Sequence, residues 1–129
     1  MGYDLHITRA EHWAENAAAE ISAEEWLALV RADPELALDA AQGPHFARWS
    51  GPSRYPGPWL DWSAGNVYTK NPDSALLRKM VALAGRLGAR VQGDEGEFYD
   101  GSEPLDEYHA PAEQRPAGER PWWRRLLGE

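Results

Sequence analysis

The sequence of 129 residues contains no cysteine. Disulfide frameworks, cysteine-based zinc sites and thiol catalysis are therefore excluded. A chain of this length is about the size of one domain and can bury enough apolar surface to fold without such cross-links. It also lacks the apolar runs that a signal peptide or a membrane-spanning helix requires. We therefore expect a cytoplasmic protein that has no membrane partner.

Basic residues are few, because 13 Lys and Arg stand against 21 Asp and Glu, for a formal net charge of −8. Such a charge disfavours nucleic-acid binding and favours a basic partner. The four histidines show neither HxH nor HExxH spacing, and the glycines of "VQGDEGEFYDG" match no nucleotide- or calcium-binding motif. The sequence therefore predicts no metal site, no cofactor and no catalytic residue.

Two segments predict helices. "EISAEEW" places Ser22 as an N-cap whose partner in a capping box is Glu25. "NPDSALLRKMVALAGRLGA" predicts a longer helix with Asn71 as its N-cap, Pro72 at its first position and Gly88 as a left-handed stop. Both segments carry an apolar stripe, so both helices are expected to pack on a sheet.

Alternation and turn residues predict the strands. They are "YDLHIT", "HFARWS", "WLDWS" and "NVYTK" around an "AGN" turn, and two arms within "ARVQGDEGEFYDG". "ELALDAAQG" fits either a short strand or a helical turn. The order β-α-β-β-β-α-β-β predicts an α+β two-layer sandwich, in which two helices cover one face of a mostly antiparallel sheet.

The composition changes near residue 100. We expect a single domain over residues 1–103, followed by a proline-rich tail over residues 104–129 that ends in the amphipathic segment "PWWRRLLGE". Docking of this last segment on the body of the protein and docking on a partner both remain open.

Two groups of side chains are candidates for a binding site. The polar row of the first strand, Asp4, His6 and Thr8, with Arg9 next to it, is expected on the face of the sheet that the helices leave open. An ordinary solvated strand face explains the same spacing. The second group consists of the aromatic residues Trp49, Trp59, Trp62 and Tyr68.

Trp59 and Trp62 are three residues apart and should face opposite sides of a regular strand, so at least one lies off the core. Exposed aromatic residues of this kind are typical of interaction hot spots. A small second core under the loop of residues 51–58 is an equal alternative.

Several segments together resemble a group of small bacterial proteins to which no activity is attached. The similarity covers residues 2–100, and its specific pieces are Tyr3-Asp4-x-His6-Ile7-Thr8-Arg9, Lys70-Asn71-Pro72 and Val91-Gln92-Gly93-Asp94. Members of the group carry a longer strand-rich insert where this chain has "DAAQGPHFARW". The resemblance implies no activity, substrate or partner.

The leading functional hypothesis is a non-enzymatic protein-interaction module, in its most concrete form a cytoplasmic immunity protein that binds and blocks a basic toxin domain. Small size, acidity and candidate exposed aromatic residues favour it. One alternative is a small enzyme or small-ligand binder that uses Asp4, His6 and Arg9. Another is a structural homo-oligomer, such as a dimer that pairs open sheet faces.

Overall fold

The computed structural model describes residues 4–103 and Leu105. They form an α+β fold in which two helices pack against a seven-stranded antiparallel sheet. The α+β class, the two helices and the antiparallel sheet confirm the prediction. The elements are β1 (Asp4–Thr8), α1 (Ala23–Ala32), β2 (Leu36–Leu38), β3 (Ala47–Trp49), β4 (Trp59–Ser63), β5 (Asn66–Lys70), α2 (Ser74–Leu87), β6 (Arg90–Gly93) and β7 (Phe98–Tyr99). The predictions for Tyr3 and for the "PWWRRLLGE" segment fall outside the described residues.

The sheet order is β2-β3-β4-β5-β1-β6-β7, and every pair of neighbours is antiparallel. β1 is therefore an interior strand, flanked by β5 and β6. His6 lies directly opposite Tyr68 on β5 and opposite Gln92 on β6. This register places one residue from each of three strands in a row across the helix-free face.

The core lies between the helices and the other face of the sheet. Because strand residues alternate between faces, five apolar residues of β1, β4, β5 and β6 are buried on the inward side: Leu5, Ile7, Leu60, Val67 and Val91. They form one cluster with the helix residues Trp26, Val30, Leu77, Met80 and Leu83. None of the helices among the described residues is long and apolar enough to cross a membrane.

Helix α1 begins as predicted. The Ser22 Oγ accepts a hydrogen bond from the Glu25 N–H at 3.0 Å, and a Glu25 carboxylate oxygen accepts one from the Ser22 N–H at 2.9 Å. This reciprocal pair satisfies two backbone donors at the helix start. Ile21, just before the cap, and Trp26, within the helix, are both fully buried, so this end of the helix is fixed to the core.

Helix α2 begins later than the sequence predicted. The N-cap is Asp73, whose carboxylate accepts from the Leu76 N–H at 2.9 Å, and not Asn71. Asn71 instead takes a left-handed conformation with φ of 48°. The backbone turns there between β5 and the helix, which shifts the cap to the next suitable acceptor. The predicted stop at Gly88 is confirmed, with φ of 65° and ψ of 37°.

The ambiguous segment after α1 is a strand. Leu36 of β2 pairs with Trp49 of β3, and Leu38 pairs with Ala47. The predicted element order therefore lacked one strand, and the predicted strand "HFARWS" is shortened to Ala47–Trp49. Three residues of each strand are too few for periodicity to distinguish a strand from a helical turn.

The β4–β5 hairpin closes through Ala64 and Gly65, which have φ of 52° and 89°. Two successive positive φ values match the tight turn that the sequence predicted. A Cβ on Gly65 would lie 2.5 Å from the Glu20 Cγ. The Gly65 carbonyl accepts a hydrogen bond from the Ile21 N–H. The turn therefore also holds the chain that leads into α1.

Candidate functional site

The helix-free face carries a group of polar and aromatic residues of the sheet. It includes Asp4, His6 and Thr8 of β1, Trp59 and Asp61 of β4, Tyr68 and Lys70 of β5, and Gln92 of β6. The segment between β1 and α1 crosses this face and divides it into a covered part around His6 and an uncovered part around Trp59.

The covered part corrects one expectation. His6 and Thr8 were expected in an open polar row, but both are buried, with 5% and 0% of their surface exposed. The indole of Trp13 lies over the imidazole of His6, with ring centroids 3.8 Å apart and an angle of 7° between the planes. Residues 9–20 form no strand or helix, yet Trp13 packs this segment on the sheet.

Side chains of the sheet fix this segment in place. The Gln92 side-chain oxygen accepts from the Trp13 N–H at 2.6 Å, and its amide nitrogen donates to the carbonyls of Glu11 and Gly96. The Asn66 amide donates to the Trp13 carbonyl at 2.8 Å, and the Trp13 Nε1 donates to the Asp94 carbonyl. Buried amides that make all these bonds specify one position for the segment.

A charged group borders the covered part. The His6 Nε2 lies 3.0 Å from one carboxylate oxygen of Asp94, and the other oxygen accepts from the Asp4 N–H. The Lys70 ammonium donates to the Asp4 carboxylate at 3.1 Å. This hydrogen bond and the charge of Asp4 raise the pKa of Lys70. The four residues form a connected network at the edge of the helix-free face, in which the Asp4 backbone N–H links Asp4 to Asp94.

This network contains three potential metal ligands. One oxygen each from Asp4 and Asp94 and a ring nitrogen of His6 lie within 4.8 Å of one another. The Lys70 ammonium already supplies a positive charge to Asp4, so a bound cation would compete with it. Sequence spacing gave no sign of this grouping because Asp94 lies on a turn 88 residues from His6.

Arg9 does not join this network, contrary to the predicted grouping of Asp4, His6 and Arg9. Its guanidinium donates to the Leu87 carbonyl at 2.8 Å and forms a bidentate pair with Glu25. The hydrogen bond from Arg9 lowers the pKa of Glu25 to about 2, and the Ser22 backbone contributes further. Arg9 therefore ties the start of α1 to the end of α2, on the helix side.

The uncovered part carries three aromatic rings in contact, which we call the aromatic row: Phe46, Trp59 and Tyr68. The Phe46 and Trp59 rings stack with centroids 5.1 Å apart, and Tyr68 meets Trp59 edge-on at 5.7 Å. All three side chains are half-buried. Asp61 lies directly opposite Tyr68 on the neighbouring strand. Burial, followed by the charge of Asp61, raises the pKa of Tyr68.

The two other tryptophans of the predicted aromatic set lie on the helix side. The Trp62 Nε1 donates to the Ile21 carbonyl at 2.8 Å, and the side chain packs against the core. The predicted opposite orientation of Trp59 and Trp62 is therefore confirmed, and Trp59 is the one on the open face. Trp49 is buried, and its indole occupies the space that a Cβ on Gly51 would need. Trp49 belongs to the same buried cluster as Trp26 and Leu60, so it lies in the main core and not in a second core under the loop.

A small cavity of about 110 Å³ opens beside the aromatic row. It lies between the loop of residues 51–58 and the start of α2, and its walls include Pro56, Trp59, Lys70 and Leu76. Its walls combine apolar residues with polar ones, among them Ser53, Thr69, Lys70 and Asp73. Such a cavity has room for one side chain of a partner rather than for a large ligand.

No protein-family model matches this chain, and no curated protein and no solved structure shows significant similarity to it.

Proposed function

We propose that this protein is a non-enzymatic interaction module and that the aromatic row is the centre of its contact surface. The observation that supports the proposal is the contact of three half-buried aromatic rings, Phe46, Trp59 and Tyr68, on the uncovered part of the helix-free face. Aromatic side chains that are held in place before binding lose little entropy when a partner covers them, and they dominate the energy of many interfaces.

The net charge of the protein favours a basic partner, although Arg48 and Lys70 lie beside the row as well as Asp61. Asp61 borders Tyr68, and Asp4 and Asp94 lie farther along the same face. Residues 1–103 contain 9 Lys and Arg against 16 Asp and Glu, a formal charge of −7. A field of this sign accelerates encounter with a positively charged protein, and the aromatic contacts then slow its dissociation.

In its most concrete form, the proposal is a cytoplasmic immunity protein that binds and blocks a basic toxin domain. Nucleases and other toxins that act on anionic substrates present basic active-site clefts, and an acidic inhibitor with aromatic anchors complements such a cleft. A toxin gene beside the gene for this protein would support the specific form. The general interaction module does not depend on it.

The experiment compares three forms of the protein: wild type, Trp59→Ala and Phe98→Ala. Phe98 is a matched control, because it is an exposed aromatic residue on the same face, at the far edge of the sheet. A partner isolated by pull-down from the native host is titrated by calorimetry at two salt concentrations. We expect Trp59→Ala to weaken binding at least about 30-fold, the scale of a hot-spot residue, and Phe98→Ala to change it little. Equal effects of the two substitutions would refute the assignment of the surface.

A small-ligand binder or enzyme is a second candidate, and the convergence of Asp4, His6, Asp94 and Lys70 favours it. A histidine paired with a carboxylate can accept or donate a proton. Trp13 covers the imidazole ring on one side, which restricts access to it. A turnover or small-molecule affinity that His6→Ala abolishes and Trp59→Ala leaves intact would favour this candidate over the interaction module.

A homo-oligomer remains a third candidate, because pairing of two helix-free faces would cover the same aromatic row. Light scattering over a range of protein concentrations distinguishes it. A dimer that Trp59→Ala dissociates would show that the partner is a second copy of the chain.

A further inference from the structure

A second surface feature lies on the other side of the sheet, between α2 and the β6–β7 hairpin. It is a groove of about 580 Å³, which we call the α2 groove. Its walls include the apolar residues Val81 and Ala84 of α2 together with Tyr99 of β7, and three charged residues, Arg90, Asp100 and Glu103, also line it. A partly apolar groove with a net negative charge suits an amphipathic segment that carries positive charge.

Gly85 lies in the α2 wall of this groove and adds no side chain to it. It lies within α2, and a Cβ built on it would meet no atom within 4 Å. Glycine within a helix costs about 1 kcal/mol relative to alanine, and no close contact in the structure requires it here. The position therefore gives up helix stability and leaves free space beside the apolar side chains of the groove.

The chain itself supplies a segment with the required chemistry. Residues 120–128 contain Arg120, Arg124 and Arg125 and no acidic residue, together with the apolar residues Trp122, Trp123, Leu126 and Leu127. The groove has a net charge of the opposite sign, because the carboxylates of Asp100 and Glu103 outnumber the guanidinium of Arg90. Burial, and then the carboxylate of Glu97, raise the pKa of Tyr99 to about 12, and Glu103 and Asp94 contribute in the same direction.

The connection is long enough. Leu105, two residues past the predicted domain boundary, is buried, and its N–H donates to the Ser74 Oγ at the first turn of α2. Ser74 and Gly85 are 11 residues apart in one helix, or about 16 Å. Residues 106–121 provide 16 residues, and a chain of that length can span up to about 50 Å, well beyond this distance. The segment can therefore reach the groove of its own chain without strain.

We propose that residues 121–127 dock into the α2 groove of the same chain, with their apolar side chains against its walls and their arginines near Asp100 and Glu103. The docked segment would cover the groove intramolecularly. A linker of this length gives the segment a high effective concentration, so even weak contacts keep it docked.

The absence of cysteine makes the test direct. In full-length protein, Glu129→Cys provides a unique thiol for a nitroxide spin label, which broadens the amide signals of nearby residues in an NMR spectrum. We expect a several-fold loss of intensity for the amides of Val81, Gly85 and Tyr99. We expect no loss for Ala37 and Leu38, which lie on the opposite edge strand of the sheet.

Two further variants carry the same label. Trp122→Ala combined with Trp123→Ala should restore the groove signals, because it removes the apolar anchors. Gly85→Phe should also restore them by filling the groove, whereas Gly85→Ala, which adds only a methyl group to open space, should not. The amide spectrum itself shows whether each variant is folded, so a misfolded variant is recognised and replaced by Gly85→Leu.

Three outcomes would overturn the proposal. The first is unchanged signals around the groove in the labelled wild type. The second is broadening that persists when both tryptophans are replaced. The third concerns a mixture of two kinds of chain, one with isotope labels and no spin label, the other with a spin label and no isotope labels. The proposal fails if the groove signals lose as much intensity in this mixture as when both labels are on the same chain. That result would assign the groove to a second copy of the protein.

Discussion

The indole of Trp13 lies flat on the imidazole of His6, with 3.8 Å between the ring centroids. The contact joins the segment before α1 to the middle of β1 and buries a histidine that strand alternation alone would leave on an open face. Because Trp13 also exchanges hydrogen bonds with Gln92, Asn66 and Asp94, the segment behaves as a part of the sheet rather than as a loop. Its stability therefore depends on few, identifiable contacts.

Trp13→Ala should release this segment while the rest of the sheet persists. We expect amide hydrogen exchange over residues 9–20 to accelerate strongly and exchange in α2 to change little, because local opening requires only the loss of local contacts. Trp13→Phe is the matched control, since it retains an aromatic ring over His6 and loses only the bond from Nε1 to Asp94. Equal protection of residues 9–20 in wild type and Trp13→Ala would contradict this view.

Gln92→Met tests the polar side of the same attachment. Gln92 is fully buried and makes three hydrogen bonds to the backbone, whereas methionine has a similar shape and makes none. The substitution leaves the Trp13 N–H and two carbonyls without these partners, and we expect a loss of about 2–4 kcal/mol in the free energy of unfolding. Urea denaturation measures it. A loss below about 0.5 kcal/mol would indicate that water replaces the side chain.

These contacts also show where sequence reasoning reached its limit. The capping box at Ser22, the stop at Gly88 and the β4–β5 turn were predicted correctly, because each depends on residues within four positions of one another. The closure over His6 depends on Gln92 and Asp94, more than 80 residues away. No local pattern contains that information, so the polar row was predicted to be open.

The start of α2 illustrates a local prediction that failed. Asn71 and Asp73 are both acceptable N-caps, and Pro72 at the first helical position favoured Asn71. The structure selects Asp73 because its second carboxylate oxygen also accepts from the Ser53 Oγ and the Arg54 N–H. A tertiary contact thus decided between two locally equivalent caps.

Asp73→Ala should therefore cost more than the loss of an ordinary cap. It removes the bond to the Leu76 N–H and both bonds to the loop of residues 51–58, in a buried position. We expect the free energy of unfolding to fall by at least about 2 kcal/mol, which is at or above the upper end for the removal of an N-cap. The comparison is Asn71→Gly, which retains the left-handed backbone and should cost less than about 1 kcal/mol. Thermal and urea unfolding of both variants measure the difference, and the reverse order would restore Asn71 as the cap.

The pair of Arg9 and Glu25 predicts a pH dependence. The pKa of Glu25 is lowered from 4.5 to about 2 in the folded protein, chiefly by the hydrogen bond from Arg9. A lowered folded-state pKa stabilises the protein at pH values above 4.5, and this contribution decreases as the pH falls towards 2. Glu25→Gln lacks the charge and keeps a side chain that can complete the capping box.

The free energy of unfolding should therefore be higher for wild type than for Glu25→Gln at about pH 6, and the difference should shrink between pH 4.5 and 2. Urea unfolding of both proteins at several pH values measures it, and groups common to both cancel in the difference. Because the pair is largely exposed, added salt should also reduce the difference. A gap that stays constant down to about pH 2 would show that the charge of Glu25 plays no part in it.

Trp26 provides the strongest test of the core. Its side chain is fully buried, belongs to the cluster shared by helices and sheet, and donates from Nε1 to the His45 carbonyl at 2.8 Å. Trp26→Ala removes a large packed surface and one hydrogen bond, so we expect a loss of about 3–5 kcal/mol and a clearly lower urea midpoint. Trp26→Phe fills most of the space and loses only the donor, so its loss in the free energy of unfolding should be smaller.

Phe98→Ala is the control on an exposed aromatic residue. It should change the free energy of unfolding by less than about 1 kcal/mol, because it removes little buried surface. If Trp26→Ala and Phe98→Ala cost the same, the cluster around Trp26 is not the core of this fold.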